Sequence, residues 1–178
     1  GYLLVVIIIF FLVHIFSVLN FPFQWDTLFI DYLLHTPTLS LLLDEQGAVL
    51  SKVIHYFTPS SLYKYTVVYI FICYLLSSVF LYKTLLLSGK LSPEESMMVA
   101  VYFSVYPAFT VAYELIMNYY AICYMLFYLA LYIFISGMNK AKPWRYILVS
   151  GIVFFLSFSL QSLLVFFYAI FSGFILLN

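Results

Sequence analysis

The feature that most constrains this chain is a series of apolar runs, each near the length of a bilayer crossing. Residues 2–19 are apolar apart from His14 and Ser17. About 20 such residues, rising 1.5 Å each, cross a hydrocarbon core of roughly 30 Å. Further apolar runs cover 65–87, 97–112 (ending near Pro107), about Leu115 to Ser136, and Tyr146–Leu177. In hydrocarbon every backbone N–H and C=O must be paired internally, so runs of this kind form helices. The last run is about 32 residues, or roughly 48 Å as one helix, too long for one ordinary span. Ser157, Ser159, Gln161 and Ser162 interrupt it. Two segments meeting at that polar patch are expected, in preference to one long tilted helix.

Composition fits lipid as the solvent. The chain is 66% hydrophobic and 8% charged, with a mean hydropathy of +1.12, whereas a soluble domain carries roughly 25% charged residues. Tyrosines (18) and phenylalanines (20) suit lipid-facing walls and interfacial belts. Seven basic residues spread over a chain of zero net charge form no basic stripe, which argues against nucleic acid as a partner. Cys73 and Cys123 lie inside apolar runs and read as small hydrophobes. The expected fold is all-α: a polytopic transmembrane bundle of about five or six membrane segments, forming a single membrane domain over 1–178. The chain reads as the N-terminal part of a longer protein.

The long stretch that hydrocarbon cannot hold is Asn20–Thr66, an outer loop over 20–64 between the first and second spans. Pro22 stops the first helix, because proline cannot continue the backbone ladder. Two short helices are expected in the loop. Thr27–His35 follows Asp26, a candidate N-cap; Leu39–Phe57 mixes leucines and valines with Asp44, Glu45, Lys52 and His55 and suits a helix lying on a membrane surface. Ser92, Pro93 and Glu95 mark another helix start, with proline at the first helical position.

Charge gives an orientation. Lys83 near the end of the second run, and Lys90, Lys140, Lys142 and Arg145 in or beside the connections after the second and fourth runs, mark those ends as cytoplasmic, since positive loops stay cytoplasmic. Asp26, Asp31, Asp44, Glu45 and Glu114 then lie on the opposite side.

Three outer acids stand out as candidate catalytic groups. Asp26 and Asp31 follow directly on the first span, among Phe21, Phe23, Trp25, Phe29 and Tyr32. An apolar setting raises a carboxylate's pKa and suits acid or base work. Asp31 and His35 are spaced i,i+4 and share a helix face without Asp26. They suit a hydrogen-bonded pair or two ligands of a divalent ion such as Mg or Mn. The plain alternative is an N-cap at Asp26 and a surface pair. Glu114 sits between long apolar stretches, with Asn118 one turn on; such carboxylates either have a task or reach water at a helix end. His14, within the first span, is a helix-packing group or a functional one.

These motifs, in this order, resemble the N-terminal part of the polytopic membrane glycosyltransferases of the GT-C superfamily, which use polyprenyl-phosphate-linked sugars. One span is followed by a long outer loop with an acid near its start, Asp26 or Asp31. His35-Thr-Pro-Thr-Leu39 is similar to the family's His-Pro-Pro-Leu-like segment, and Thr58-Pro-Ser-Ser-Leu62 to its lead into the second span. Tyr106-Pro-Ala-Phe-Thr-Val-Ala-Tyr-Glu114 resembles its proline-ended third segment, with a Glu opening the fourth. Ser157–Ser162 corresponds to an outer polar break between the next two helices. The likeness covers most of the chain, although each motif is degenerate. The family's common Arg after the Glu is absent here, and its acidic doublet is replaced by Asp26 and Asp31, five positions apart.

The resemblance implies a hexosyltransferase acting at the outer membrane face, with a lipid-phosphate-sugar donor and a glycan, lipid or protein acceptor. It implies Asp26 as base, with Asp31 and Glu114 as further acidic groups and His35, Lys64 and Gln161 as substrate-binding residues. The expected location is a bacterial inner membrane, as a multi-pass protein of cell-envelope polysaccharide synthesis. A polysaccharide polymerase or flippase of another class, or a non-enzymatic polytopic protein, is the alternative; the former depends on outer basic residues, which are scarce here.

Overall fold

A computed structural model describes residues 1–19, 63–105, 118–138 and 140–176. Among them are six helices: α1 Tyr2–Leu19, α2 Tyr63–Ser88, α3 Pro93–Val105, α4 Asn118–Met138, α5 Pro143–Ser157 and α6 Gln161–Leu176. The described residues contain no strand. Tyr65–Ser88 of α2 and Tyr119–Met138 of α4 are long and apolar enough to cross a membrane; Tyr2–Phe16, Pro143–Ser157 and Ser162–Ser172 are shorter apolar stretches. The expected surface helices at Thr27–His35 and Leu39–Phe57 lie outside the described residues.

Helix ends follow local chemistry. Gly89 closes α2 with φ +66°, a left-handed conformation that glycine adopts without steric cost. Three residues later Ser92 and Glu95 form a reciprocal cap. The Glu95 N–H donates to Ser92 Oγ at 3.2 Å, and the Ser92 N–H donates to the Glu95 carboxylate at 2.8 Å. Pro93 then opens α3, where its missing N–H is not needed, as the sequence leads one to expect. Between α5 and α6, the Ser159 and Leu160 N–H groups turn back to the carbonyls of Leu156 and Ser157. That tight turn divides the last apolar run into two helices.

Ring and side-chain contacts fix the helix directions. Val6 packs near Tyr82 and Phe11 against Phe71, so α1 and α2 are antiparallel. Tyr2 meets Glu94 and His14 meets Ser104, so α1 and α3 run together. Tyr74–Tyr124 and Phe80–Tyr132 make α2 and α4 parallel. Phe127–Phe154 and Gly137–Tyr146 make α4 and α5 antiparallel. α6 turns back along α5 and so runs parallel to α4: Phe171 meets Phe134 and Phe154, while Leu163 joins Cys123 and Phe127 in one cluster. Successive helices therefore alternate in direction. The start of α1, the α2–α3 turn and the α4–α5 turn share one end. Leu19, Tyr63, Val105, Asn118 and the α5–α6 turn share the other.

The bundle is apolar on its outside as well as in its core, where Phe10, Ile70, Phe127, Phe154 and Leu163 are buried. Its buried polar positions are largely serines (Ser77, Ser78, Ser96, Ser104, Ser150 and Ser157), while Leu12, Phe16, Leu19, Tyr102, Phe155 and Val165 are each at least 67% exposed. Small residues inside let helix backbones approach closely, and large apolar ones outside suit a hydrocarbon solvent. α3 is the clearest case: its buried residues are Ser96, Ala100 and Ser104, one per turn along a single stripe. The closest approach is at Gly137, where an added Cβ would lie 2.1 Å from the Tyr146 Cβ. That atom is fixed to the α5 backbone and cannot swing away.

Two predictions follow from these ends and approaches. Gly137→Ala forces α4 and α5 apart and costs about 1–3 kcal/mol, measured as a lower midpoint of thermal unfolding in detergent. Gly151→Ala, where an added Cβ meets nothing within 4 Å, leaves stability unchanged or raises it by up to about 1 kcal/mol through helix propensity. The second concerns acid. The Tyr2 hydroxyl holds the Glu94 carboxyl below its ordinary value of 4.5, and the Ser92 backbone N–H does the same for Glu95. Folded pKa values below the unfolded ones give stability that is present above pH 4.5 and lost as pH falls below it. A melting series through that window should show a loss that shrinks in the Glu94→Gln/Glu95→Gln variant.

Candidate functional site

The residues singled out in the sequence divide into two groups. Asp26, Asp31, His35 and Glu114 lie outside the described residues. Lys64 falls in the first turn of α2, and Gln161 is the first residue of α6. α2 and α6 both start toward the end of the bundle away from the basic turns, but Gln161 lies deeper than Lys64: Leu163 packs with Cys123, beside the level at which Tyr74 meets Tyr124. The described residues on either side of 20–62 and 106–117, namely Leu19, Tyr63, Val105 and Asn118, lie at that same end.

Inside the bundle, below that end, a polar node joins three helices. His14 of α1 is 5% exposed and donates from Nε2 to the Ser104 carbonyl of α3 at 2.7 Å. The Ser104 hydroxyl lies 3.1 Å from the Ser78 hydroxyl of α2. Each hydroxyl also reaches a carbonyl one turn back: Ala100 for Ser104 at 2.8 Å, Tyr74 for Ser78 at 3.1 Å. A hydroxyl has one proton, so one serine donates across the interface and the other to its own helix. Phe10 stacks obliquely on the His14 ring with centroids 4.4 Å apart and bears on Phe71, sealing the node with aromatic carbon. His14 thus has the packing role offered as one of its two readings. The sequence reading missed Ser78 and Ser104. The signal was there in Ser96-x-x-x-Ala100-x-x-x-Ser104, a small-residue repeat at helical spacing.

A second feature is an apolar cleft of about 430 Å³ between α2, α3, α4 and α6, lined by Leu81, Phe103, Tyr124, Phe127, Tyr128 and Leu163. Its rim residues Val99, Tyr102 and Phe166 are exposed on the bundle's outer wall. The cleft has room for an alkyl or isoprenoid chain, and its lining carries no carboxylate, imidazole or amine. Among the described residues, no group of three or more His, Cys, Asp and Glu is placed to hold a metal ion. Asp31 and His35, the candidate ligand pair, are outside that set.

Comparison with family models, with curated proteins and with solved structures finds no match.

The node makes a specific energetic prediction. A double-mutant cycle over Ser78→Ala and Ser104→Ala should give a coupling of about 0.6 kcal/mol, and not above about 1.7, as is usual for interhelical hydrogen bonds in membranes. Ser104→Leu, which fills the close α2–α3 contact, should cost more than both alanine changes together, read from unfolding in mixed micelles.

Proposed function

We propose that this chain is the membrane core of a GT-C-like glycosyltransferase, a multi-pass protein of a bacterial inner membrane that transfers a sugar from a polyprenyl-phosphate donor at the outer face. The observation that carries this reading is the sorting of the helix ends. The described residues that flank Asp26, Asp31, His35 and Glu114 in the chain, Leu19, Tyr63, Val105 and Asn118, share one end of the bundle, and five of the seven basic residues lie toward the other, together with Glu94 and Glu95. Positive-inside orientation makes the end away from those basic residues the outer one. The apolar exterior and the two long apolar helices support residence in lipid. The tyrosine-lined cleft, open along that exterior, suits the hydrocarbon tail of the donor.

The chemistry in this reading is a single displacement at the anomeric carbon. Asp26 takes the proton from the acceptor hydroxyl as its oxygen bonds to that carbon, and the bond to the lipid phosphate breaks with its electron pair on the phosphate. The departing phosphate needs a positive charge beside it. Lys64, in the first turn of α2 at that end, supplies it. Asp31 and Glu114 are the further acids of the site, while His35 and Gln161 bind the sugar or its phosphate.

The test is transfer from a polyprenyl-phosphate sugar by full-length protein in membranes. Asp26→Asn should lower turnover by about 10²–10⁴-fold, the usual contribution of a general base, with Asp31→Asn as the comparison. Full transfer by both variants would remove the catalytic-loop reading. Retained transfer by Asp26→Asn with loss in Asp31→Asn would move the base to Asp31.

A further inference from the structure

We propose that the basic end of the bundle is a binding surface for anionic phospholipid headgroups, centred on the α4–α5 turn. This inference rests on residence in a bilayer, not on the transfer reaction.

The parallel run of α2 and α4 brings two separate basic turns to one level. Lys83, near the end of α2, and Lys90 lie at the first; Lys140, Lys142 and Arg145, in the first turn of α5, lie at the second. Together they face two carboxylates, Glu94 and Glu95, an excess of three positive charges. Both carboxylates are engaged: Glu94 accepts the Tyr2 hydroxyl of α1, and Glu95 caps the Ser92 N–H. Lys90, Lys140, Lys142 and Arg145 are exposed, and none of them pairs with a described carboxylate. The Lys83 ammonium lies 5.7 Å from the centre of the Tyr132 ring, and the Arg145 guanidinium 5.5 Å from the Trp144 ring. Two of the five cations thus lie beside aromatic faces, while Lys90, Lys140 and Lys142 extend from exposed turn positions.

What selects a lipid is the surface next to the charges. Trp144 is 59% exposed and Tyr146 is exposed beside it, and the same helix continues outward with exposed Ile147, Leu148 and Val149. Indole and phenol rings sit at headgroup level in bilayers. A ligand seated on this turn meets positive charge at one end and an apolar wall at the other. An anionic phospholipid has the matching amphiphilic form; a soluble acidic peptide or free phosphate leaves the apolar wall uncovered. Each Lys or Arg near an anionic surface contributes about fivefold to the attraction, falling off within a Debye length.

The chain has two tryptophans, Trp25 and Trp144, so Trp25→Phe makes Trp144 a local reporter. The protein would be reconstituted in vesicles mixing phosphatidylcholine and phosphatidylglycerol, one of them brominated on its acyl chains to quench indole fluorescence. The expected result is about fivefold or greater enrichment of phosphatidylglycerol around Trp144. High salt should reduce it, and Lys140→Gln/Lys142→Gln/Arg145→Gln should abolish it. Equal quenching by the two brominated lipids in the otherwise unaltered protein overturns the proposal, whatever the triple variant does. So does enrichment that survives both salt and the triple variant, or enrichment abolished by inorganic phosphate at an ionic strength where chloride leaves it intact.

Discussion

The described bundle depends on the close approach of α3 to α1 and α2. Three small side chains, Ser96, Ala100 and Ser104, make that approach sterically open. The His14 imidazole then spans the gap to the Ser104 carbonyl. In lipid there is little hydrophobic drive between helices, since acyl chains are as apolar as leucine. Dispersion between well-fitted surfaces and a few interhelical hydrogen bonds must do most of the association. A bulky residue on the stripe would remove both at once. Gly137 plays the same part between α4 and α5, where the Tyr146 Cβ occupies the space that any side chain would need.

Once α1, α2 and α3 are held this way, the rest follows from direction and length. α4 lies alongside α2 through stacked and tilted tyrosine and phenylalanine rings. The Phe154 ring gathers Phe127, Phe158, Phe167 and Phe171, which holds α5 and α6 as a hairpin on α4. Alternating helix directions gather five of the seven basic residues toward one end, with Glu94 and Glu95. Anchoring by cations at that end and the proposed chemistry at the other can then coexist on one small bundle.

The two proposals draw on different parts of this arrangement. The proposed sugar transfer rests on residues of 20–62 and 106–117, which lie outside the described structure, and on a cleft whose lining offers shape and hydrocarbon but no acid or base. Lipid recognition rests on the basic turns, where the unpaired cations and exposed rings are directly described. A failure of either would leave the other standing.

Much of the helical fold was legible in the sequence, because long apolar runs favour helices, which pair their own backbone groups. Runs 65–87 and 115–136 match α2 and α4 to within a few residues. The Ser92–Glu95 cap was readable from spacing, and the polar interruption at Ser157–Ser162 from composition, since local hydrogen bonding decides such points. Of the candidate site, the sequence supplied residue types and order: Asp26, Asp31, His35 and Glu114 by their setting between apolar runs, Lys64 and Gln161 by their place at helix starts. Which partner His14 takes, that Ser78 meets Ser104, and that Lys83 lies level with Tyr132 were decided only by tertiary structure. Those contacts join positions 26 to 90 residues apart, and helical periodicity carries no information about which face meets which neighbour.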